Sequence, residues 1–357
     1  MQRFACALTS ALLAPLMFDV ATAQDLDGLE ISVIGDLRAL ASDQARGAEL
    51  LLEEVEFAFV GPLNPYASAE VFLAIHGTEG IEVEEAKLVL DRYLPGRLGL
   101  TTGVFLLDFG RLNTFHPHAY PFIRRPLMHS EFFSADGVRD MSIRLDWIAP
   151  PEAVTIRASA GLVRGDVFAL PPEDVDEADD HAHGQSEGSP KIGFSGRLDL
   201  YAEPAEDVSF LVGASVLSGE FDPHESARVA WIGTDAKLAW DLGSNRQLEI
   251  TAEAAFGDYD STDELPAGST PKGWFAAADL QTSRRWNLGG FAENTTSRLD
   301  DDLQVNRYGG FLGFALMEES TLFRVMGSST DPDGSEREDE LIVQAIFGLG
   351  PHRPHRY

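Results

Sequence analysis

From Arg246 to Asp258 the chain reads RQLEITAEAAFGD, in which Leu248, Ile250, Ala252, Ala254 and Phe256 alternate strictly with Glu249, Thr251 and Glu253. A period of two places successive side chains on opposite faces of a strand, so this stretch has one oily face and one charged face. The pattern recurs along the chain. Met141, Ile143, Leu145 and Trp147 alternate with Ser142, Arg144 and Asp146; Val154, Ile156, Ala158 and Leu162 oppose Thr155, Arg157 and Ser159; Ile192, Phe194, Leu198 and Leu200 oppose Ser195, Arg197, Asp199 and Tyr201. A soluble sandwich and a membrane barrel both produce such alternation, so periodicity alone does not separate them.

The connections separate them. Strands read at about 31–40, 55–65, 67–76, 81–92, 97–113, 141–149, 153–164, 191–203, 207–218, 228–241, 247–258, 273–284, 287–295, 305–317, 320–328 and 339–350. Their links alternate between tight turns, such as Pro65-Tyr66 and Gly243-Ser244-Asn245, and longer polar loops at 41–54, 114–140, 166–190, 219–227, 259–272, 296–304 and 329–338. His76 to Gly80 is short where a long loop is due. Short turns at one end and long loops at the other describe an all-β, antiparallel transmembrane barrel of about sixteen strands, porin-like, with both ends of the chain in the periplasm. A barrel of that size leaves a water-filled lumen, which accommodates the charged faces. Arg144, Arg157, Arg197, Asp199, Glu249 and Glu253 are therefore expected to face the lumen, and the apolar faces lipid. Trp147, Trp231, Trp240, Trp274 and Trp286 near strand ends suit interfacial girdles, and Tyr357 supplies a terminal aromatic.

Residues 1–23 carry Arg3, an apolar run through ALLAPLMF and the small-residue site Ala21-Thr22-Ala23, the layout of a secretory signal peptide, leaving 24–357 as the barrel. Cys6, the one cysteine, lies within it, so the mature chain has no thiol, which suits an oxidising compartment. The expected location is the cell outer membrane, with lipid and lipopolysaccharide around the barrel, small solutes or ions within it and a homo-oligomer possible. The formal net charge of -31 is unchanged by loss of the signal, which removes one residue of each sign, and it excludes nucleic acid as a natural partner. It points instead to a cation-leaning channel.

Residues 110–127 read GRLNTFHPHAYPFIRRPL and open the third long loop, 114–140. In general porins of sixteen strands this loop folds into the barrel and narrows it, so Arg124, Arg125, Asp108, His116, His118 and Glu131 are the expected constriction residues, with Arg124 and Arg125 either lining the pore or pairing with Asp108 and Glu131. The stretch Ile81 to Leu127 also resembles a porin-like family of bacterial outer-membrane proteins whose members are often labelled zinc-regulated outer-membrane receptors. The resemblance rests on Glu84-Glu85-Ala86, Leu94-Pro95, Phe109-Gly110 with Asn113, the histidines of His116-Pro117-His118, and Arg125-Pro126. It implies a barrel, and a metal-linked uptake or sensing role as the alternative to passive diffusion. Many relatives have Asp at the position of Arg124.

His116 and His118 could ligate zinc through imidazole nitrogens if His129 or Glu131 came round to complete the site. The competing expectation is that they pack the inward loop. His181 and His183, among Asp176, Glu177, Asp179 and Asp180 of the 166–190 loop, form a second cation-attracting patch. No cofactor other than zinc is suggested. A hydrolase would need a nucleophile, base and orienting group on the wall, and neither G-x-S-x-G nor a Ser/His/Asn spacing is present, so no enzymatic activity is expected.

Overall fold

The structure is a computed structural model that describes residues 28–77, 80–134, 137–150, 153–169, 192–222, 224–263, 265, 267–317 and 320–350. The signal segment 1–23, His181, His183 and Tyr357 lie outside the described residues. Sixteen strands are described: β1 (Glu30–Ser42), β2 (Ala48–Asn64), β3 (Ala67–Ile75), β4 (Ile81–Leu94), β5 (Leu98–Leu106), β6 (Arg139–Ile148), β7 (Val154–Val163), β8 (Gly193–Ala205), β9 (Val208–Asp222), β10 (Ala227–Gly243), β11 (Arg246–Tyr259), β12 (Lys272–Gln281), β13 (Trp286–Thr296), β14 (Gln304–Met317), β15 (Thr321–Pro332) and β16 (Glu338–Leu349). Each pairs antiparallel with its sequence neighbours, and β1 pairs with β16 from Val33↔Leu349 to Ser42↔Glu340, closing the sheet. Closure removes every sheet edge, so the ladder satisfies its own amides and carbonyls and can sit in hydrocarbon. The expected antiparallel barrel is the observed fold, and no described helix is long and apolar enough to cross a membrane.

The alternation sorts side chains as the sequence requires. Ile143, Leu162, Phe194, Ile232, Phe256 and Leu312 project outward and are exposed, an apolar belt that only lipid would solvate. Tight links close the other periodicity. Ser244 and Asn245 both have positive φ, 57° and 58°, the backbone that a two-residue turn between right-twisted strands requires.

Three expectations are corrected. The fifth strand stops at Leu106 rather than running to residue 113, because the chain there leaves the wall and enters the barrel. The lumen is not simply water-filled: Phe105, Leu107, Phe109, Tyr120, Phe122, Ile123, Met128 and Phe132 form a buried core with inward wall residues including Phe221, Val229, Tyr259, Phe275, Phe311 and Met326. Trp231 belongs to that core rather than to an interfacial girdle. It is 1% exposed, with the rings of Phe132 and Phe133 at 4.8 and 5.1 Å, whereas Trp147, Trp240, Trp274 and Trp286 face outward. In β10 the inward parity falls on Val229, Trp231, Asp235 and Lys237. One strand thus presents an apolar inner face near its long-loop end and a charged one further along.

Two bulges interrupt the ladder where acidic residues cluster. Between β1 and β2 the register moves from Asp36↔Glu54 to Leu37↔Leu52, leaving Glu53 extra; between β3 and β4 it moves from Phe72↔Glu85 to Leu73↔Val83, leaving Glu84 extra. A bulge lets consecutive residues turn to the same side. Glu84 and Glu85 are both buried inside the barrel as a result.

Candidate functional site

The described part of the loop, from Leu107 to Ser134, lies inside the barrel and includes the short helix α1 (Leu127–Phe132); the chain returns to the wall through Gly137 and Val138. Asn113, fully buried, clamps its neck: Nδ2 donates to the carbonyls of Leu107 (2.8 Å) and Val138 (2.9 Å), and Oδ1 accepts from the Val138 amide (2.8 Å). Glu253 on β11 holds the descending limb. Its Oε1 accepts from the amides of Arg111 (2.8 Å) and Leu112 (2.6 Å), and Oε2 lies 3.1 Å from Nε2 of His129. Gly110, at φ 68°, lets the limb approach this closely, since a Cβ there would come 2.5 Å from Glu253 Oε2.

A loop with so little regular structure must find partners for its backbone elsewhere. Charged side chains of the wall supply them. Glu293 accepts from the Leu127 amide at 2.6 Å and is held by Arg307, which also donates to the Arg125 carbonyl at 2.8 Å. Arg324 on β15 donates to the carbonyls of His118 (3.1 Å) and Phe122 (3.5 Å), and Glu131 accepts from the Arg298 amide at 3.1 Å. Phe122 is seated among Phe275, Phe291 and Phe311, with ring centroids about 6 Å apart.

The remaining wall charges form an alternating ladder. Asp108, at the start of the loop, pairs with Arg144 (3.2 Å) and Arg157 (2.6 Å) and accepts from Ser159 (3.0 Å). Arg157 also pairs with Asp146 and Asp199, and Arg197 with Asp199 and Asp235. Burial alone would raise the Asp108 carboxyl, but the Arg144 and Arg157 guanidiniums outweigh it and hold the pKa down at about 2. Asp108 thus meets arginines of β6 and β7 rather than Arg124 or Arg125. Arg124 instead pairs with Glu340 of β16 at 2.7 Å, and the buried Arg125 guanidinium sits 5.7 Å from the Tyr120 ring centroid.

His116 lies on the opposite wall from His129 and Glu131. Its Nδ1 is 2.8 Å from Glu56 Oε2 and 3.3 Å from Glu84 Oε2, while Nε2 is 2.9 Å from Glu85 Oε1. Burial would lower the imidazole pKa, but the Glu56, Glu84 and Glu85 carboxylates outweigh it and hold it well above the usual histidine range. His118 stacks against His116 at 5.7 Å, with Nδ1 3.9 Å from Glu56. Glu54, Glu56, Glu84 and His116 offer ligand atoms that all lie within 4.8 Å of one another, which makes them the group best able to hold a metal among the described residues. Glu54, Glu56, Glu84 and Glu85 were not among the expected site residues. The Glu53-Glu54 and Glu84-Glu85 doublets, both incompatible with strict alternation, were the signals for them.

Beneath the loop, toward the short-turn end, is a cavity of about 590 Å³. Arg111, Lys237, Arg284, Arg285 and Arg324 face it, together with the carboxylates of Glu249 and Asp279. Lys237 pairs with Glu249 at 2.7 Å.

The same architecture is found in solved bacterial outer-membrane structures. An anion-selective porin from Comamonas acidovorans superposes with a TM-score of 0.61 at 9% identity, covering 90% of this chain and 99% of that one. The outer-membrane channel DcaP of Acinetobacter baumannii gives 0.59 at 9% identity, over 91% and 99%. The chain has the sixteen-stranded porin fold. With its lipid-facing belt, that fold places it in the outer membrane. In sequence, an uncharacterized protein of Aquifex aeolicus is 26% identical over 337 residues, 86% of this chain and 70% of its own length. No family model matches.

Proposed function

We propose that the protein is a channel for small hydrophilic solutes or ions, not an enzyme. The observation that carries this reading is the cavity beneath the inward loop, lined by charged side chains and surrounded by the wall of a closed barrel. Its walls bear five cationic side chains against two carboxylates, so the local field favours anions where the lumen is narrow and screening is weak. This reverses the cation preference expected from total charge, because much of the acidic excess sits elsewhere, for example at Asp300, Asp301 and Asp302 of a long loop. The anion selectivity named for the Comamonas porin is in keeping with this choice.

The test is planar-bilayer recording of the refolded mature chain under a salt gradient. An ohmic conductance with chloride permeability above that of potassium is expected, and Arg284→Glu with Arg285→Glu should lower that ratio. Absence of conductance, or a cation preference unaffected by the double change, would reject the reading.

A further inference from the structure

We infer that Glu54, Glu56, Glu84 and His116 form a binding site for a divalent first-row transition-metal ion that fastens the inward loop to the barrel wall. Ligand atoms of β2, β4 and the loop converge within 4.8 Å. Tetrahedral bonds of about 2.0–2.2 Å would hold them roughly 3.4 Å apart, a contraction within reach of side-chain rotation.

Acidic residues gathered in one place are not in themselves a site, but these have unmet needs. Glu54 is 5% exposed, and its Oε1 has no hydrogen-bond partner; Glu56 Oε2 and Glu84 Oε2 share the single Nδ1 of His116, at 2.8 and 3.3 Å. Burying three carboxylates side by side is costly unless a cation compensates them. The other nearby cations are engaged: Arg38 pairs with Asp36 and Glu53, and Lys87 with Glu70 and Glu85. A divalent ion, taking the place of the proton on His116 Nδ1, which leaves to solvent, supplies the missing charge.

The histidine is set as a ligand would be. Its Nδ1 faces Glu56 and Glu84, while Nε2 lies 2.9 Å from Glu85, which Lys87 anchors in turn at 2.7 Å. A carboxylate on the far nitrogen fixes ring orientation and raises ligand basicity, the usual support for a metal-bound imidazole. Both bulges fall here, and the second brings Glu84 to the same side as Glu85. Three carboxylates and one imidazole suit Zn²⁺ or Mn²⁺ better than Ca²⁺, which seeks six to eight oxygens.

This inference does not depend on the channel reading, because its readout is binding. The mature chain is refolded in detergent, stripped with a chelator and titrated calorimetrically with Zn²⁺, Mn²⁺ and Ca²⁺; because the cluster is buried, a second sample is refolded with Zn²⁺ present and its metal content measured. One tightly held Zn²⁺ per chain is expected, with Ca²⁺ at least tenfold weaker. Glu54→Gln and Glu84→Gln should each weaken Zn²⁺ by at least tenfold, and Glu85→Gln by about tenfold through the imidazole. Heat-modifiable gel mobility verifies that each variant is folded. His181→Ala with His183→Ala should leave the tight site intact. A folded wild-type barrel that retains no Zn²⁺ under either protocol would overturn the inference. So would binding that survives Glu54→Gln and Glu84→Gln but disappears with His181 and His183.

Discussion

Arg197 on β8 grips Asp235 on β10 at two points, Nη1 to Oδ2 at 2.7 Å and Nη2 to Oδ1 at 2.9 Å, reaching across the whole of β9 to do so. Neighbouring strands are about 4.8 Å apart, so this pair spans two strand spacings. The path is clear because β9 places Gly213 between Asp199 and Asp235, where a Cβ would come 2.3 Å from Arg197 Nη2. Breaking a buried pair from one side costs about 3–5 kcal/mol, and since Arg197 keeps Asp199 and Ser215, Asp235→Ala is expected near the lower figure. Gly213→Leu should destabilise through the same pair, and adding Arg197→Met should recover part of the loss. Urea unfolding in lipid vesicles measures all three; additive effects of the last two would show that Gly213 has no part in the pair.

Acid should loosen the loop through Asp108. Its folded pKa of about 2 lies below the ordinary aspartate value of about 3.9, so its ion pairs contribute fully above pH ~4 and are lost as pH falls through 2. The difference is worth about 2–3 kcal/mol. Asp108→Asn should be less stable than wild type at pH 7 and should show a flatter stability profile between pH 4 and 2. An unchanged acid limb in the variant would assign the acid sensitivity to other carboxylates.

The barrel is legible in the sequence because lipid imposes a simple rule: every second residue must be apolar over a strand length, and turns must alternate with loops. The loop's anchoring is legible only in part. Gly110, Asn113, His116, Arg125 and Glu84-Glu85 stand out as motif residues, and each has a physical task in the folded loop or the wall beside it. Their partners are hidden, since Glu253 and Glu293 look in sequence like any polar face of a strand, and nothing local says which loop amide they meet. Position misleads at Trp231, where a place near a strand end suggests an interfacial residue, whereas alternation with Asp235 and Lys237 puts the side chain inward. Its ring partners include Phe132 and Phe133, about a hundred positions earlier, as well as Tyr259 of the neighbouring strand. The Glu84 bulge breaks alternation itself, which would have sent one of the two glutamates into lipid.

At Asn113 the accounting can be done bond by bond. In Asn113→Ala the Leu107 carbonyl keeps the Phe109 amide and the Val138 carbonyl keeps the Leu107 amide, so only the Val138 N–H is orphaned. The expected cost is about 1–3 kcal/mol. Asn113→Asp should cost more, although it retains the acceptor for Val138, because it also aims an anionic oxygen at two carbonyls. Urea unfolding ranks the two, and limited proteolysis between residues 107 and 138 should rise in the same order. Equal stability of the two variants would mean that the Nδ2 donor contributes little.

Arg324 combines two duties that substitution can separate. It faces the cavity as one of its positive charges, and it donates to the His118 and Phe122 carbonyls from a position 6% exposed, with Gln344 Oε1 at 3.4 Å. Arg324→Met removes charge and donors together, so chloride selectivity should fall while the loop loses support near His118. Arg324→Lys keeps the charge but has no planar fork to span two carbonyls. It should therefore retain most of the selectivity while showing greater current noise and easier cleavage of the loop. The pair of variants assigns the effects: parallel loss of selectivity in Met and Lys would trace it to loop position, whereas loss in Met alone would trace it to the field of the guanidinium acting across the cavity.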